Sequence, residues 1–177
     1  MSSPARIPFL FCLLLVAVSL RSGAAVAAPP TVAGSAPMIT PRDFFADLPA
    51  MDFGMSFADA KKAIEKTGAS PVDGTRTGGE LVWDGQFAGT AGRATTLYKP
   101  DKGLWEVAVV VYAMDKREAI FNQWSKTIAD RHGPATEKAD DEETLSRVWR
   151  FKSGFVLELR LSLDANNPSV DIHWVKE

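Results

Sequence analysis

Histidine is the side chain best suited to acid–base chemistry near neutral pH, and the chain contains two, His132 and His173. Catalysis by a histidine needs a nucleophile and an orienting group within hydrogen-bond reach. His132 falls in the last turn of a predicted helix, where a cation interacts favourably with the terminal carbonyl groups. His173 alternates with Ile172 and Trp174, so it should point from the polar face of a strand. The two histidines are therefore not expected to meet a nucleophile and an orienting group in one site. We predict no catalytic residues and a protein that is not an enzyme.

Metal ligands and phosphate-binding loops are poorly represented. Zinc sites use three or four protein ligands drawn mainly from Cys and His, and two isolated histidines with Cys12 do not supply them. The acidic run 140–143 lacks the alternating oxygen ligands and central glycine of a calcium loop, and is typical of a solvated connection. The glycines of 74–79 and 85–92 are not followed by Gly-Lys-Ser/Thr or by a helix. We therefore predict no metal site and no cofactor.

The first 28 residues have the features of a signal peptide. Arg6 precedes an apolar run at Phe9–Val18, and small residues at Ala25–Ala27 match the spacing that signal peptidase recognises. The run is shorter than the roughly 20 residues of a spanning helix. Cys12 lies inside the run rather than just after it, which argues against lipidation. We predict cleavage after residue 27 or 28, no membrane span in the remaining chain, and a periplasmic or secreted location.

The charge of the remaining chain limits the classes of partner. Residues 1–28 contain two arginines and no acidic residue, so their removal lowers the net charge from −2 to −4. A nucleic-acid-binding protein normally carries a clustered basic face, and a polybasic membrane contact needs the same. The expected partner is therefore a protein or a cell-envelope component. The sequence carries no indication of oligomeric state.

A segment rich in proline and alanine, 29–50, precedes the predicted domain. Its five prolines indicate an extended tether. Thr40–Asp43 contains an N-cap, a proline at the first helical position and an acid at the third, which predicts one docked helical turn within the tether. We predict a single domain over 51–177, because a segment of this length and composition can form one apolar core.

Two similar halves, 51–113 and 114–177, are predicted within this domain. In the first, Ser56 caps a helix that ends at Gly68, and in the second Asp115 opens a helix that ends at Gly133. We predict an α+β fold of two layers, in which a duplicated α-β-β-β unit forms an antiparallel sheet of about six strands with two helices on one face. The predicted strands are 80–84, 93–98, 104–112, 144–152, 155–163 and 169–175.

Alternation along these strands divides the sheet into two faces. Trp105 shares the parity of Val107 and Val109 and is expected to face the helices, as is Trp174. The opposite face is expected to present Val82, Glu106, Val110, Tyr112, Arg150, Glu158, Arg160, Asp171 and His173. A sheet face that mixes apolar, aromatic and charged groups is typical of an interaction surface. The predicted binding residues are Tyr112, Arg150, Glu158, Arg160, Asp171 and His173.

The opening Gly54-Met55-Ser56, followed by an amphipathic helix that ends near Gly68 and by a meander, resembles small exported proteins of the outer-membrane assembly lipoprotein type. The tandem arrangement is similar to the β-lactamase-inhibitor-protein architecture. These resemblances imply an exported, non-enzymatic module that binds a protein, and they transfer no binding residue. Two alternatives stay open. One is a small hydrolase or ligand-binding protein with a pocket between helix and sheet that contains His173 or a buried carboxylate with a perturbed pKa. The other is a secreted enzyme inhibitor that presents hairpin loops.

Overall fold

The computed structural model describes residues 37–113 and 115–177. The predicted signal peptide and residues 29–36 of the predicted tether lie outside the described residues. Within the described ranges, no helix is long and apolar enough to cross a membrane. The elements are α1 (Pro41–Phe44), α2 (Phe57–Glu65), β1 (Val72–Asp73), β2 (Glu80–Phe87), β3 (Thr90–Lys99), β4 (Gly103–Val111), α3 (Arg117–His132), β5 (Glu137–Asp140), β6 (Thr144–Arg150), β7 (Phe155–Ser162) and β8 (Val170–Lys176).

The eight described strands form one sheet in the order β1-β2-β3-β4-β8-β7-β6-β5, and every neighbouring pair is antiparallel. The predicted α+β class with an antiparallel sheet is therefore confirmed. The predicted number of strands is wrong, because the described chain has eight rather than about six. Besides the two predicted helices it has the short α1, where the sequence predicts a helical turn. Each half contributes a helix followed by four strands, and the last strands of the two halves, β4 and β8, pair at the centre.

The two unpredicted strands, β1 and β5, lie at the edges of the sheet. β1 has two residues, both exposed, and three of the four residues of β5 are exposed. A strand whose side chains are almost all exposed needs no alternation of apolar and polar residues. Charged side chains at a sheet edge also oppose pairing with other chains. Periodicity therefore gives no signal for either strand.

The predicted loop at 85–92 is instead a tight hairpin. β2 runs to Phe87 and β3 starts at Thr90, and Ala88 and Gly89 between them have positive φ values of 51° and 75°, as a two-residue turn of the mirror-image type requires. Gly85 and Gly92 pair directly across the two strands. A Cβ added to Gly92 would lie 2.3 Å from the backbone oxygen of Val110 and 3.0 Å from the ring of Phe87, and one added to Gly85 would lie 3.3 Å from the same ring. Gly92 therefore has no room for a side chain, and both glycines lie close to the buried Phe87 ring.

The helix termini follow the sequence in part. Ser56 Oγ accepts a hydrogen bond from the backbone N–H of Asp59 at 3.2 Å, so the predicted cap of α2 is confirmed. The predicted opening of α3 at Asp115 is wrong, because Lys116 occupies the N-cap and its side chain makes no capping bond. Gly133 ends α3 with a φ of 83°, as the Gly-Pro pair predicts.

One apolar core joins the helices to one face of the sheet, here called the core face. Ala60 and Ile64 of α2 and Phe121, Trp124 and Ile128 of α3 are buried in it. The core face supplies Leu81, Trp83, Phe87, Ala94, Tyr98, Leu104, Val107, Val109, Val111, Trp149, Leu157, Leu159, Leu161, Val170, Ile172 and Trp174. The opposite side of the sheet is here called the open face.

The described part of the predicted tether, residues 37–50, also belongs to this core. We call it the N-terminal strap. Ile39, Phe45 and Leu48 are each at most 3% exposed, and the Phe45 ring packs edge-on against Trp124 at 5.2 Å between centroids. The predicted helical turn is confirmed as α1, with a complete capping box at Thr40. An extended tether is wrong for these residues, because their apolar side chains fill space between α3 and the sheet.

His132 fastens the strap in a way that the sequence did not predict. Its Nε2 accepts the backbone N–H of Ile39 at 3.2 Å, and Trp174 Nε1 donates to the carbonyl of the same residue at 2.9 Å. Burial, assisted by the charge of Arg131, lowers the pKa of His132. The predicted role of His132 as a cation at the helix end is therefore wrong, because a ring nitrogen that accepts a hydrogen bond carries no proton.

Candidate functional site: the open face of the sheet

Strand register places the predicted open-face residues on one side of the sheet. Ala108 of β4 lies opposite His173 of β8, which lies opposite Glu158 of β7. One pair further along, Val110 lies opposite Asp171, which lies opposite Arg160. Directly opposed residues in an antiparallel pair share a face. These six side chains therefore form two adjacent rows across the three central strands.

A bulge in β4 moves Trp105 from its predicted place on the core face to the open face. Leu97 pairs with Glu106 and Tyr98 with Leu104, so Trp105 and Glu106 together oppose one residue of β3. The Lys99 ammonium lies 4.1 Å from the centroid of the half-buried Trp105 ring, a favourable cation–π contact. The extra residue shifts the alternation of β4, so the prediction that Trp105 faces the helices is wrong. The same prediction for Trp174 is confirmed, because that residue is fully buried on the core face.

Four of the six predicted binding residues come together at the middle of the open face, with Glu106 and Ser146 beside them. Arg160 donates to both carboxylate oxygens of Glu158, at 2.7 and 2.8 Å, and Ser146 Oγ donates to the same carboxylate at 3.2 Å. His173 Nδ1 lies 3.0 Å from Glu106 Oε1. We call this set the central cluster; its members are Glu106, Ser146, Glu158, Arg160, Asp171 and His173.

The electrostatics of Glu158 and Arg160 are those of a fixed ion pair. Burial alone would raise the pKa of Glu158, but the hydrogen bonds and charge of Arg160, together with Ser146 and His173, outweigh it and lower the pKa. The Glu158 hydrogen bonds raise the pKa of Arg160 in return. Both groups stay charged at neutral pH, and a two-point contact of this kind holds the guanidinium in one orientation.

Asp171 is the least satisfied charged group of the central cluster. Burial raises its pKa, while Ser169, His173 and Arg160 act in the opposite direction. Its Oδ1 is buried and has no hydrogen-bond partner among the described residues. Arg160 lies directly opposite in the register but directs its guanidinium to Glu158. An acceptor left in this state costs free energy in the isolated protein.

Tyr112 lies apart from the central cluster, immediately after β4. It is 48% exposed, an unusual state for a large aromatic side chain, and lines a shallow cleft with Asp84, Gln86 and Arg93. Arg93 Nε donates to Asp84 Oδ1 at 2.8 Å. This corner of the open face thus offers an exposed ring beside a compensated ion pair.

Arg150 lies toward the opposite edge of the sheet. Its Nε donates to Glu137 at 2.6 Å and its Nη1 to Glu177 at 2.9 Å, and these partners raise the pKa of Arg150. It makes no hydrogen bond with the central cluster among the described residues. Arg150 therefore contributes to the rim of the open face rather than to its centre.

Sequence reasoning missed three open-face residues for different reasons. Ser146 lies opposite Arg160, and the alternation of β6 around Trp149 was enough to place it there. Trp105 depends on the bulge, which periodicity does not reveal. Arg93 begins the predicted strand 93–98, in which apolar residues fall on both parities, so alternation does not assign its face.

The geometry of the open face favours contact with a partner molecule over a reaction in a buried pocket. The predicted alternative puts His173 or a buried carboxylate with a perturbed pKa in a pocket between helix and sheet, whereas both His173 and Asp171, whose pKa burial raises, lie on the open face. Two clefts of about 600 and 630 Å³ are lined by the N-terminal strap with α2 and by the strap with the β6–β7 hairpin. In the part of the chain that the structure describes, no group of three or more His, Cys, Asp or Glu side chains is arranged to hold a metal ion.

Comparison with known proteins gives no assignment for this surface: no family model, curated protein or solved structure matches the chain significantly.

Proposed function

We propose that this chain is a non-enzymatic module that binds another protein through its open face and the adjoining loops. The observation that carries the proposal is the composition of that face. Apolar side chains at Val82, Trp105 and Val110 lie beside charged groups, and Tyr112 projects into solvent at one corner. Protein interfaces combine aromatic and arginine side chains with an apolar surround in this manner.

We further propose that the module is exported and works in the periplasm or outside the cell. The support is the charged start, the short apolar run and the small residues within positions 1–28. A cell-envelope component is the alternative partner, and a secreted inhibitor would be the case in which the bound protein is an enzyme.

Site-specific photo-crosslinking tests the binding proposal. A photoreactive amino acid is placed at Tyr112 or at the half-buried Thr95, which lies opposite Ala108 on the open face, and at Asn122 on the exposed side of α3 as the matched control. After irradiation in native envelope extract, discrete adducts are expected from the two open-face positions and not from position 122. The proposal fails if all three positions give the same products, or if the open-face positions give none.

A small hydrolase remains a second candidate because of one contact, His173 Nδ1 to Glu106 Oε1 at 3.0 Å. A carboxylate that orients an imidazole in this way is part of many acid–base sites. If the pair is catalytic, the protein should hydrolyse activated esters, and both His173→Ala and Glu106→Gln should abolish that turnover. Hydrolysis that is unchanged in the two variants, or no faster than in buffer, would remove this candidate.

A further inference from the structure

The N-terminal strap borders a cleft whose lining combines aromatic rings with lysine side chains. The cleft lies between the strap and the β6–β7 hairpin, and we call it the strap–hairpin cleft. Its volume is about 630 Å³, which is within the range of small-molecule binding sites. Met38 of the strap, Phe53 of the loop before α2, and Phe151 and Phe155 of the hairpin form its apolar walls. The cleft is therefore large enough for an organic ligand.

The apolar walls of the strap–hairpin cleft are not sealed from solvent. Phe53, Phe151 and Phe155 are each half-buried, as is Met38. The rings of Phe53 and Phe155 meet edge-on, with their centroids 4.9 Å apart. When several large apolar side chains are exposed to one cleft, a ligand that displaces water from them is favoured. A ligand with an apolar body would therefore gain free energy in this cleft.

Hydrogen bonds hold two walls of the cleft in place. On the strap, the backbone of Ile39 donates to His132 at 3.2 Å and accepts from Trp174 at 2.9 Å. In the loop before α2, Gly54 donates its N–H to the carbonyl of Leu104 at 2.8 Å. The third wall is a hairpin of the sheet itself. A ligand would thus meet a cleft that is already formed, which lowers the conformational cost of binding.

Two lysines line the same cleft, Lys152 in the hairpin and Lys176 at the end of β8. Both are exposed, and neither forms an ion pair with any of the described residues. Lys176 lies opposite Phe155 in the register, and its ammonium is 5.7 Å from the centroid of that ring. Positive charge is therefore held directly beside an apolar wall.

One carboxylate, that of Asp52, also lines the strap–hairpin cleft. Two lysines and one aspartate leave the lining with a net positive charge at neutral pH, so an anionic ligand is electrostatically favoured over a cationic one. The segment that precedes the strap, residues 29–36, contains no charged side chain. It therefore cannot supply a carboxylate to the two lysines, and the complementary charge must come from another molecule.

We propose that the strap–hairpin cleft binds an amphiphilic organic anion, whose apolar chain packs against the three phenylalanine rings and whose acidic head group pairs with Lys152 and Lys176. A lysine ammonium is a point charge on a flexible stem, so it can follow a head group at the cleft entrance. Phe155 shares the parity of Leu157, which is buried on the core face. The cleft therefore lies on the other side of the sheet from the open face, and the inference is independent of the function proposed above.

A titration with octanoate, octanol and octylammonium tests this inference. The three compounds share one alkyl chain and differ in the charge of the head group. The isotope-labelled protein is followed by its amide chemical shifts while each compound is added separately. We expect saturable shifts at 151–155 and at Met38, Phe53 and Lys176. Octanoate should bind at least about threefold more tightly than octanol, and octylammonium should bind most weakly.

Matched variants locate the charge within the cleft. Lys152→Gln and Lys176→Gln should each weaken octanoate binding by about threefold and leave octanol binding unchanged. Asp52→Asn should strengthen octanoate binding, because it removes the negative charge from the lining. Lys138→Gln, on the edge strand β5, is the control and should change neither affinity. All four side chains are exposed, so the variants are expected to fold like the wild type.

Several results would overturn the inference. They are shifts that do not saturate at millimolar octanoate, shifts that map to the open face, and octanol binding that is as tight as octanoate binding. Equal octanoate affinities for Lys152→Gln, Lys176→Gln and Lys138→Gln would overturn it as well, since the two lysines of the cleft would then play no part. Photo-crosslinking from the open face is a separate measurement, so either proposal can fail while the other stands.

Discussion

Asp171 shows how a single residue can oppose stability where binding is expected. Its carboxylate lies half-buried in the sheet with one oxygen unpartnered, and the nearest arginine is engaged by Glu158. A group kept in such an environment is more easily explained by a partner than by folding, because residues that serve binding are commonly not optimal for stability.

Asp171→Asn is therefore expected to raise the free energy of unfolding at pH 7, by about 1 kcal/mol. Burial raises the pKa of Asp171 in the folded protein, so the wild-type residue favours folding only while it is protonated and loses that contribution as the pH rises through its folded pKa. The gain should accordingly disappear below about pH 4. Urea melts of both proteins at pH 7 and at acidic pH measure this difference; a variant less stable than the wild type at pH 7 contradicts it.

His132 should make the protein sensitive to mild acid. Its pKa is lowered in the folded state, first by burial and then by Arg131, so the unfolded chain binds the proton more readily. Stability is then full above the unfolded pKa near 6.5 and falls as the pH drops toward the folded pKa, by about 1.4 kcal/mol for each pH unit between the two. The protonated ring could no longer accept the N–H of Ile39.

The variant His132→Gln separates this effect from other titrations. An amide oxygen can accept the same N–H and does not titrate in this range. Melts between pH 8 and pH 5 should show a steep loss of stability in the wild type and a shallower one in the variant. Parallel curves for the two proteins would mean that His132 does not carry the pH dependence.

The elements that could be predicted from the sequence are those in which buried and exposed residues alternate regularly. In β7, Leu157, Leu159 and Leu161 are buried on the core face, and the alternation follows from that asymmetry. β5 is nearly uniformly exposed and carries no such signal. The bulge that turns Trp105 to the open face arises from pairing with β3, which is a property of two strands rather than of either sequence alone. The centre of the candidate site was predictable because β7 and β8 both alternate, and Glu106 and Val110 of β4 were also placed correctly, whereas Trp105 and Arg93 were not.

The exit of α3 gives a prediction at the scale of the element. Gly133 has φ 83° and ψ −177°, a conformation open to glycine and unfavourable for other residues. A Cβ at this position would meet no atom within 4 Å, so Gly133→Ala should destabilise the protein through the backbone alone, by about 1–3 kcal/mol. The carbonyl of Gly133 accepts a hydrogen bond from Trp149 Nε1 at 3.0 Å, which resists a change of the turn. Thermal melts test this, and an unchanged midpoint would refute it.

At the scale of the molecule, the two halves are expected to unfold together. β4 and β8 pair at the middle of the sheet, and residues from both halves and from the N-terminal strap occupy one core. Phe45 of the strap touches Phe87 from the first half and Trp124 from the second, at 5.7 and 5.2 Å between ring centroids. Neither half can therefore bury its own apolar side chains without the other.

Leu81→Ala in the first half and Leu159→Ala in the second test this cooperativity. Both residues are fully buried on the core face, so each truncation should cost about 2–5 kcal/mol, and each should shift the same single transition. Circular dichroism of the backbone and tryptophan fluorescence should report coincident midpoints in both variants. Ser162→Ala, in the same strand as Leu159 but on the open face, should change the midpoint little. If either leucine variant produced two transitions, one half would be folding independently, and the open face would lose the continuous sheet on which the proposed protein binding depends.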